Sequence, residues 1–190
     1  MQLGVHAGAN FNIVSTSLPD FTTNVYPGAR AGVFTRINLG ILNITPEINF
    51  SMTGGDGVFA NDPNRFYSSK TNTLEILVLF GLRLVKSKLV NLRTQFGGFW
   101  AWNISNSIVV HDHVFPQNDS LVTSSRGSNF NGGIVLGLGL DIWRFNLEMR
   151  YQWGLSNLLG SNIIYQDPRA SLRYSGFSVT LGFSFYQKSF

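Results

Sequence analysis

The sequence predicts an all-β protein: an eight-stranded antiparallel up-and-down transmembrane β-barrel, folded as a single domain over residues 1–190. Three observations predict it. Eight segments alternate apolar and polar residues, the period-two pattern of a strand with one apolar face. No other element remains to cover eight apolar faces, so lipid covers them; segments of ~10–12 residues match a tilted strand crossing a bilayer. The connections run long, short, long, short, long, short, long, as in barrels with short turns at one end and long loops at the other.

The clearest segment is 42–52, where Leu42, Ile44, Pro46, Ile48, Phe50 and Met52 alternate with Asn43, Thr45, Glu47, Asn49 and Ser51. In chain order, the first strand covers 2–13, with His6 and Asn10 on the polar face and Leu3, Val5, Ala7 and Phe11 on the apolar one. The second, 28–39, turns Arg30, Phe34 and Arg36 away from Ala29, Ala31 and Val33, and Gly40 makes a tight turn into the third. The fourth, 73–85, puts Glu75, Leu77, Leu79 and Arg83 inward, and the fifth, 89–102, Arg93, Gln95 and Phe99. The sixth, 129–141, has mostly small inward residues ending at Asp141. The seventh, 144–155, puts Arg144, Glu148 and Arg150 inward, and the eighth, 174–185, Ser178, Thr180 and Ser184. Loops are expected at 54–72 and 103–128.

Composition agrees with a membrane setting. Charged residues make up 13% of the chain, about half the usual globular share, and in this register none faces outward. A charge on the lipid face near the midplane costs ~2–4 kcal/mol, so the pattern is selective. Aromatics gather at strand ends: Trp100, Trp102, Tyr151, Trp153 and Tyr174 on the loop side, and Trp143, Phe185 and Tyr186 on the turn side. These are the expected interfacial girdles. A soluble barrel with the apolar set inside would expose a face rich in Gly and Ser and leave this banding unexplained. The net charge of +4 is scattered, without the basic patch that nucleic acid requires. The absence of cysteine excludes disulfides and thiolate metal sites. Because Met1-Gln2-Leu3 enters a strand at once, the expectation is a processed form whose signal peptide has been removed.

The chain resembles the PorT-like small outer-membrane β-barrels of Bacteroidota. The resemblance is carried by Gly4-x-x-x-Gly8-x-Asn10, Gly28-x-x-Ala31-Gly32-Val33, Pro46-Glu47-Ile48-x-Phe50-Ser51, Leu74-Glu75-Ile76, Gly137-x-Gly139-x-Asp141 and Arg150-Tyr151-x-x-Gly154-Leu155. Leu77 stands where that family often has Pro. The resemblance implies an outer-membrane location and an eight-stranded barrel, with the bilayer and its lipopolysaccharide outer leaflet as first partner; the long–short alternation of connections is what puts both termini in the periplasm. It implies no single function, since the family includes secretion and assembly accessories.

The inward charges are the main candidate site. Arg30, Arg36, Arg83, Arg93, Arg144 and Arg150, with His6, face Glu47, Glu75, Asp141 and Glu148. An eight-stranded barrel fills its interior with side chains, and buried charges there must pair. The expectation is a salt-bridged plug with Glu47 near its centre and Arg36, Arg83 and Arg93 beside it; the sharper alternative is a narrow ion path. His111-Asp112-His113 is read as a solvated loop, because two His and one Asp on an extended stretch lack the ligand count of a metal site. No nucleophile motif, cofactor site or metal site is read, so the chain is expected not to be an enzyme. Ile108, Val109, Val110, Val114 and Phe115 form apolar clusters in the longest loop. They have no strand partner in this register, and with Trp100, Trp102, Tyr151 and Trp153 they are the expected contact surface for a protein partner in an outer-membrane complex; the alternative is that they extend strands five and six beyond the membrane as a hairpin. A small-solute channel is the other function class.

Overall fold

The computed structural model describes residues 1–16, 26–59, 62–87, 90–112, 130–156 and 172–187, and only the backbone at 13–16, 26, 54–59, 62–70, 86, 106–112 and 172–174. Eight strands follow one another: β1 (Gln2–Thr16), β2 (Tyr26–Leu39), β3 (Leu42–Phe59), β4 (Asp62–Lys86), β5 (Val90–Asp112), β6 (Phe130–Ile142), β7 (Phe145–Gly154) and β8 (Leu172–Gln187). Each pairs antiparallel with its chain neighbour, and β1 pairs with β8 to close the barrel. Closure removes the edges that a membrane-spanning sheet cannot leave open, because lipid offers no partner for backbone polar groups.

The burial pattern is that of a globular protein turned inside out. On β3, Asn43, Thr45, Glu47, Asn49 and Ser51 are buried, while Ile48 and Met52 are 50% and 52% exposed. The outward apolar residues of the other strands, such as Val33, Phe96, Leu136 and Leu181, are likewise exposed. The core lies in the lumen, and lipid receives the apolar face.

Two connections are two-residue turns, at Gly40-Ile41 and Trp143-Arg144. Gly40 takes φ 71°, which glycine adopts without strain. Trp143 takes φ 55° despite its side chain, and the Arg144 guanidinium stacks over its ring at 5.4 Å. Arg144 is therefore an exposed turn residue, outside the lumen to which the alternation assigned it. The two-residue turn takes up that position, so the inward alternation of β7 begins at Asn146.

A larger departure lies at the other end. Pairing of β2 with β3 stops at Ala29 and Met52, and pairing of β5 with β6 at Trp102 and Phe130. β3, β4 and β5 nevertheless continue to pair with one another as far as Phe59 with Asp62 and Arg65 with Asp112. The expected loop at 54–72 is thus mostly the paired ends of β3 and β4, and residues 103–112 of the expected loop at 103–128 belong to β5. Ile108, Val109 and Val110 have strand partners after all, in Ser69, Ser68 and Tyr67 of β4. A backbone ladder can extend rung by rung without apolar alternation, which reports only the stretch that faces lipid. Residues 113–128, with His113, Val114 and Phe115, lie outside the described residues, as does the Tyr174 side chain.

Lumen packing sets small against large. A Cβ on Gly139 would sit 2.6 Å from Arg93 Cζ, and one on Gly137 2.9 Å from Arg150 Cγ. These β6 glycines leave the volume in which two arginine side chains lie across the barrel.

Candidate functional site

The alternation of β2, β5 and β7 aims four arginines, Arg30, Arg36, Arg93 and Arg150, into the lumen, each no more than 2% exposed. Four carboxylates meet them: Glu47, Glu75, Asp141 and Glu148, also buried. Among the described buried residues the opposite charges are therefore equal in number.

The pairs fall into two groups. Toward the long-connection end, Arg30 donates through Nη2 to Glu75 Oε2 and Gln152 Oε1, both at 2.7 Å, and through Nε to Ser51 Oγ at 3.0 Å. Gln152 Nε2 donates to the same Glu75 oxygen at 3.3 Å. Toward the turn end stands a six-membered cluster. Arg150 grips Glu47 with two bonds of 2.6 Å and also pairs with Glu148. Arg93 bridges Asp141 and Glu148. Arg36 reaches Glu148 Oε1 at 3.1 Å, Asp141 at 3.3 Å and Gln2 Oε1 at 2.8 Å, with its guanidinium 5.3 Å from the Phe34 ring centre. Glu148 is the hub, shared by three guanidiniums.

The surrounding residues fix the carboxylates in place. Asn146 Nδ2 donates to Asp141 Oδ1 at 3.0 Å, and Ser184 Oγ donates to Asn146 Oδ1 at 3.0 Å. His6 stacks on Phe34 with ring centres 5.8 Å apart, and its Nε2 lies 2.7 Å from Asn49 Oδ1. Charge-assisted, bidentate bonds of this kind are the strong class of hydrogen bond.

Two expected members, Arg144 in its turn and Arg83, stand apart. Arg83 is only half-buried, and its guanidinium donates to Asn38 Oδ1 at 3.0 Å. The partner of Glu47 is Arg150, not Arg36, Arg83 or Arg93. The expectation followed neighbouring strands around the wall. A narrow barrel lets a long arginine cross the lumen instead, so β7 supplies the partner of a β3 carboxylate.

The ligand atoms of His6, Glu47 and Glu148 lie within 4.8 Å of one another, a trio invisible in sequence because it spans β1, β3 and β7. Its chemistry does not suit a cation. Arg150 already pairs with both carboxylates, and Arg36 and Arg93 add positive charge at Glu148. A metal ion would have to displace guanidiniums rather than waters.

Above this cluster one stretch of wall is apolar: Leu77 and Leu79 of β4, Phe99 and Ala101 of β5, and Val135 of β6. Asn10 and Gln95 have no hydrogen-bond partner at either end of their amides among the described residues. Buried amides of this kind are served by ordered water. On the outside, Trp100, Trp102 and Trp153 are exposed, with Trp102 edge-on to Phe130 at 5.7 Å and Tyr151 edge-on to Trp153 at 4.3 Å.

The arrangement of a closed barrel, apolar outside and ion-paired within, agrees with comparison by sequence. Residues 1–160 match the outer membrane protein beta-barrel domain family. The chain belongs to that family. It is a protein of the bacterial outer membrane, set in the lipid bilayer. No curated protein sequence matches it. Among solved structures it is similar to Neisserial surface protein A, at 15% identity over 96% of this chain and 97% of that one, with a TM-score of 0.48. It is similar to Ail, the attachment invasion locus protein of Yersinia pestis, at 12% identity over 97% and 98%, with a TM-score of 0.49. The outer membrane enzyme PagL is similar at 11% identity over 93% and 98%, with a TM-score of 0.49.

Proposed function

We propose that this barrel is a non-enzymatic structural or accessory subunit of an outer-membrane protein complex, of the secretion or barrel-assembly type, within the PorT-like group. The observation that carries the reading is the lumen: four buried arginines paired with four buried carboxylates across a narrow barrel. A lumen crossed by such bonds favours a scaffold over a conduit, since moving one charge strands its partners. Extraction of the native protein in gentle detergent, followed by sizing and mass spectrometry, tests it. A larger species with one stoichiometric partner is expected; a monomeric barrel with no enriched partner would sink it.

The small-solute channel is the competing reading, and the unpartnered amides of Asn10 and Gln95 favour it. Planar-bilayer recording separates the two. A reproducible conductance from the unmodified protein would put the channel first. The orientation belongs to the same proposal: termini and short turns in the periplasm, long connections outside. Cysteines at Ser120 and Ser87 test it on intact cells, where an impermeant reagent should label the first and spare the second.

A further inference from the structure

Beyond the closed barrel, β3, β4 and β5 stand as a three-stranded sheet with β4 in the middle. Its two outer edges differ. The β3 edge past Met52 reads Thr53-Gly54-Gly55-Asp56-Gly57-Val58-Phe59. It carries three glycines and a register shift at Val58/Phe59, features that weaken an edge as a pairing surface. The β5 edge past Trp102 reads Asn103-Ile104-Ser105-Asn106-Ser107-Ile108-Val109-Val110-His111-Asp112, with no Lys, Arg, Pro or Gly. One side of this stretch pairs with β4, from Thr73 with Asn103 to Arg65 with Asp112. On its other side β6 ends at Phe130, opposite Trp102, and among the described residues no strand continues.

The root of this edge is shaped as well. Asn72 pairs with Ser105 and Thr73 with Asn103, so Ile104 is an extra residue in β5, 62% exposed. A bulge of this kind bends and twists a strand, here at the point where the sheet leaves the barrel. The row of backbone groups beyond it lacks the lysines, arginines and prolines that natural sheets use to discourage pairing, and its one carboxylate, Asp112, stands at the far end. Such an edge is a template for an added strand, with main-chain hydrogen bonds supplying the affinity.

We propose that the edge of β5 at 103–112, which no described strand covers, receives an extended segment of a partner protein, which adds to the sheet as a strand continuing the line of β6. This deepens the accessory-subunit reading and rests on it. The occupant is a different protein rather than a second copy in the same bilayer. Copies in one membrane are related by a two-fold along its normal, which leaves both β5 strands running the same way. An antiparallel pair needs opposite directions, and a parallel ladder, with its slanted bonds, has no two-fold along the strand. A fitting segment is of matching length, rich in β-branched or aromatic residues and free of proline.

The test uses the full chain in lipid nanodiscs and a displayed library of random linear peptides as the probe. Hydrogen exchange on the protein alone comes first. Alternate amides of 103–112 should exchange quickly, and the others should be held by β4. Protection of every amide would mean that the chain's own residues 113–129 fill the edge, and would overturn the proposal. Peptides selected from the library should then bind about tenfold or more weakly to one alternate set in a proline scan from S105P to V110P. Proline at those positions removes only the outward N–H and leaves the β4 ladder whole. Failure to enrich any peptide, or equal binding to every proline variant, overturns the proposal. Gentle extraction of the proline variants separates the two readings. A native complex that survives them leaves the accessory role standing and removes the β5 edge from it, whereas a monomeric wild-type barrel removes the accessory role itself.

Discussion

Two parts of the lumen wall meet the same requirement, burial inside a narrow barrel, by opposite means. On β4, β5 and β6, Leu77, Leu79, Phe99, Ala101 and Val135 close the interior with hydrocarbon, as a soluble core does. Nearer the turns, Arg36, Arg93 and Arg150 close it with Glu47, Asp141 and Glu148. The hydrocarbon patch is tolerant in principle, because each lost methylene costs only its own transfer and cavity energy. The charged cluster is not, because every member is held by others, and removing one leaves a buried charge unpaired. The difference teaches that a narrow barrel can be filled by either chemistry, but only the ionic one ties distant strands together by named partners. Arg150 on β7 and Glu47 on β3 are such a pair.

Substitutions can break this comparison or sharpen it. Glu148→Ala removes the carboxylate that three guanidiniums share, and should destabilise by about 5 kcal/mol, the top of the range for a broken buried pair. The denaturant midpoint of the protein in detergent micelles measures it, and a shift below that of any apolar truncation would refute the hub. Glu47→Ala should cost less, about 3 kcal/mol, because Arg150 keeps Glu148 as a partner. An unchanged midpoint would mean that water replaces Glu47. Leu77→Ala in the apolar patch should cost about 2 kcal/mol, the low end for a leucine truncation, since neighbouring side chains can relax into the space. If it exceeded the Glu47 change, the hydrocarbon patch would be the stiffer of the two. Arg144→Ala, in the exposed turn, should leave the midpoint where it is, and a large loss would return Arg144 to the lumen network.

The inward position of Glu47, Glu75, Glu148, Arg30, Arg36, Arg93 and Arg150 was legible in the sequence, since alternation in a strand assigns a face by counting residues. Which carboxylate meets which arginine was not legible, because counting says nothing about who sits across the lumen. The His6, Glu47 and Glu148 trio was hidden for the same reason. Arg144 was assigned inward by carrying the alternation one residue into a turn, where it no longer holds.

The sequence by itself determined the closed eight-strand barrel and its inverted burial. Lipid demands apolar residues at every second position, and that demand is written locally along each strand. Only the tertiary structure decided the partners of Glu47, the place of Arg83 beside Asn38, and the continuation of β3, β4 and β5 past the barrel. Salt bridges across a lumen depend on closure and on side-chain reach. A ladder beyond the bilayer depends on backbone hydrogen bonds, which any residue but proline can donate, so neither leaves a periodic mark in the chain.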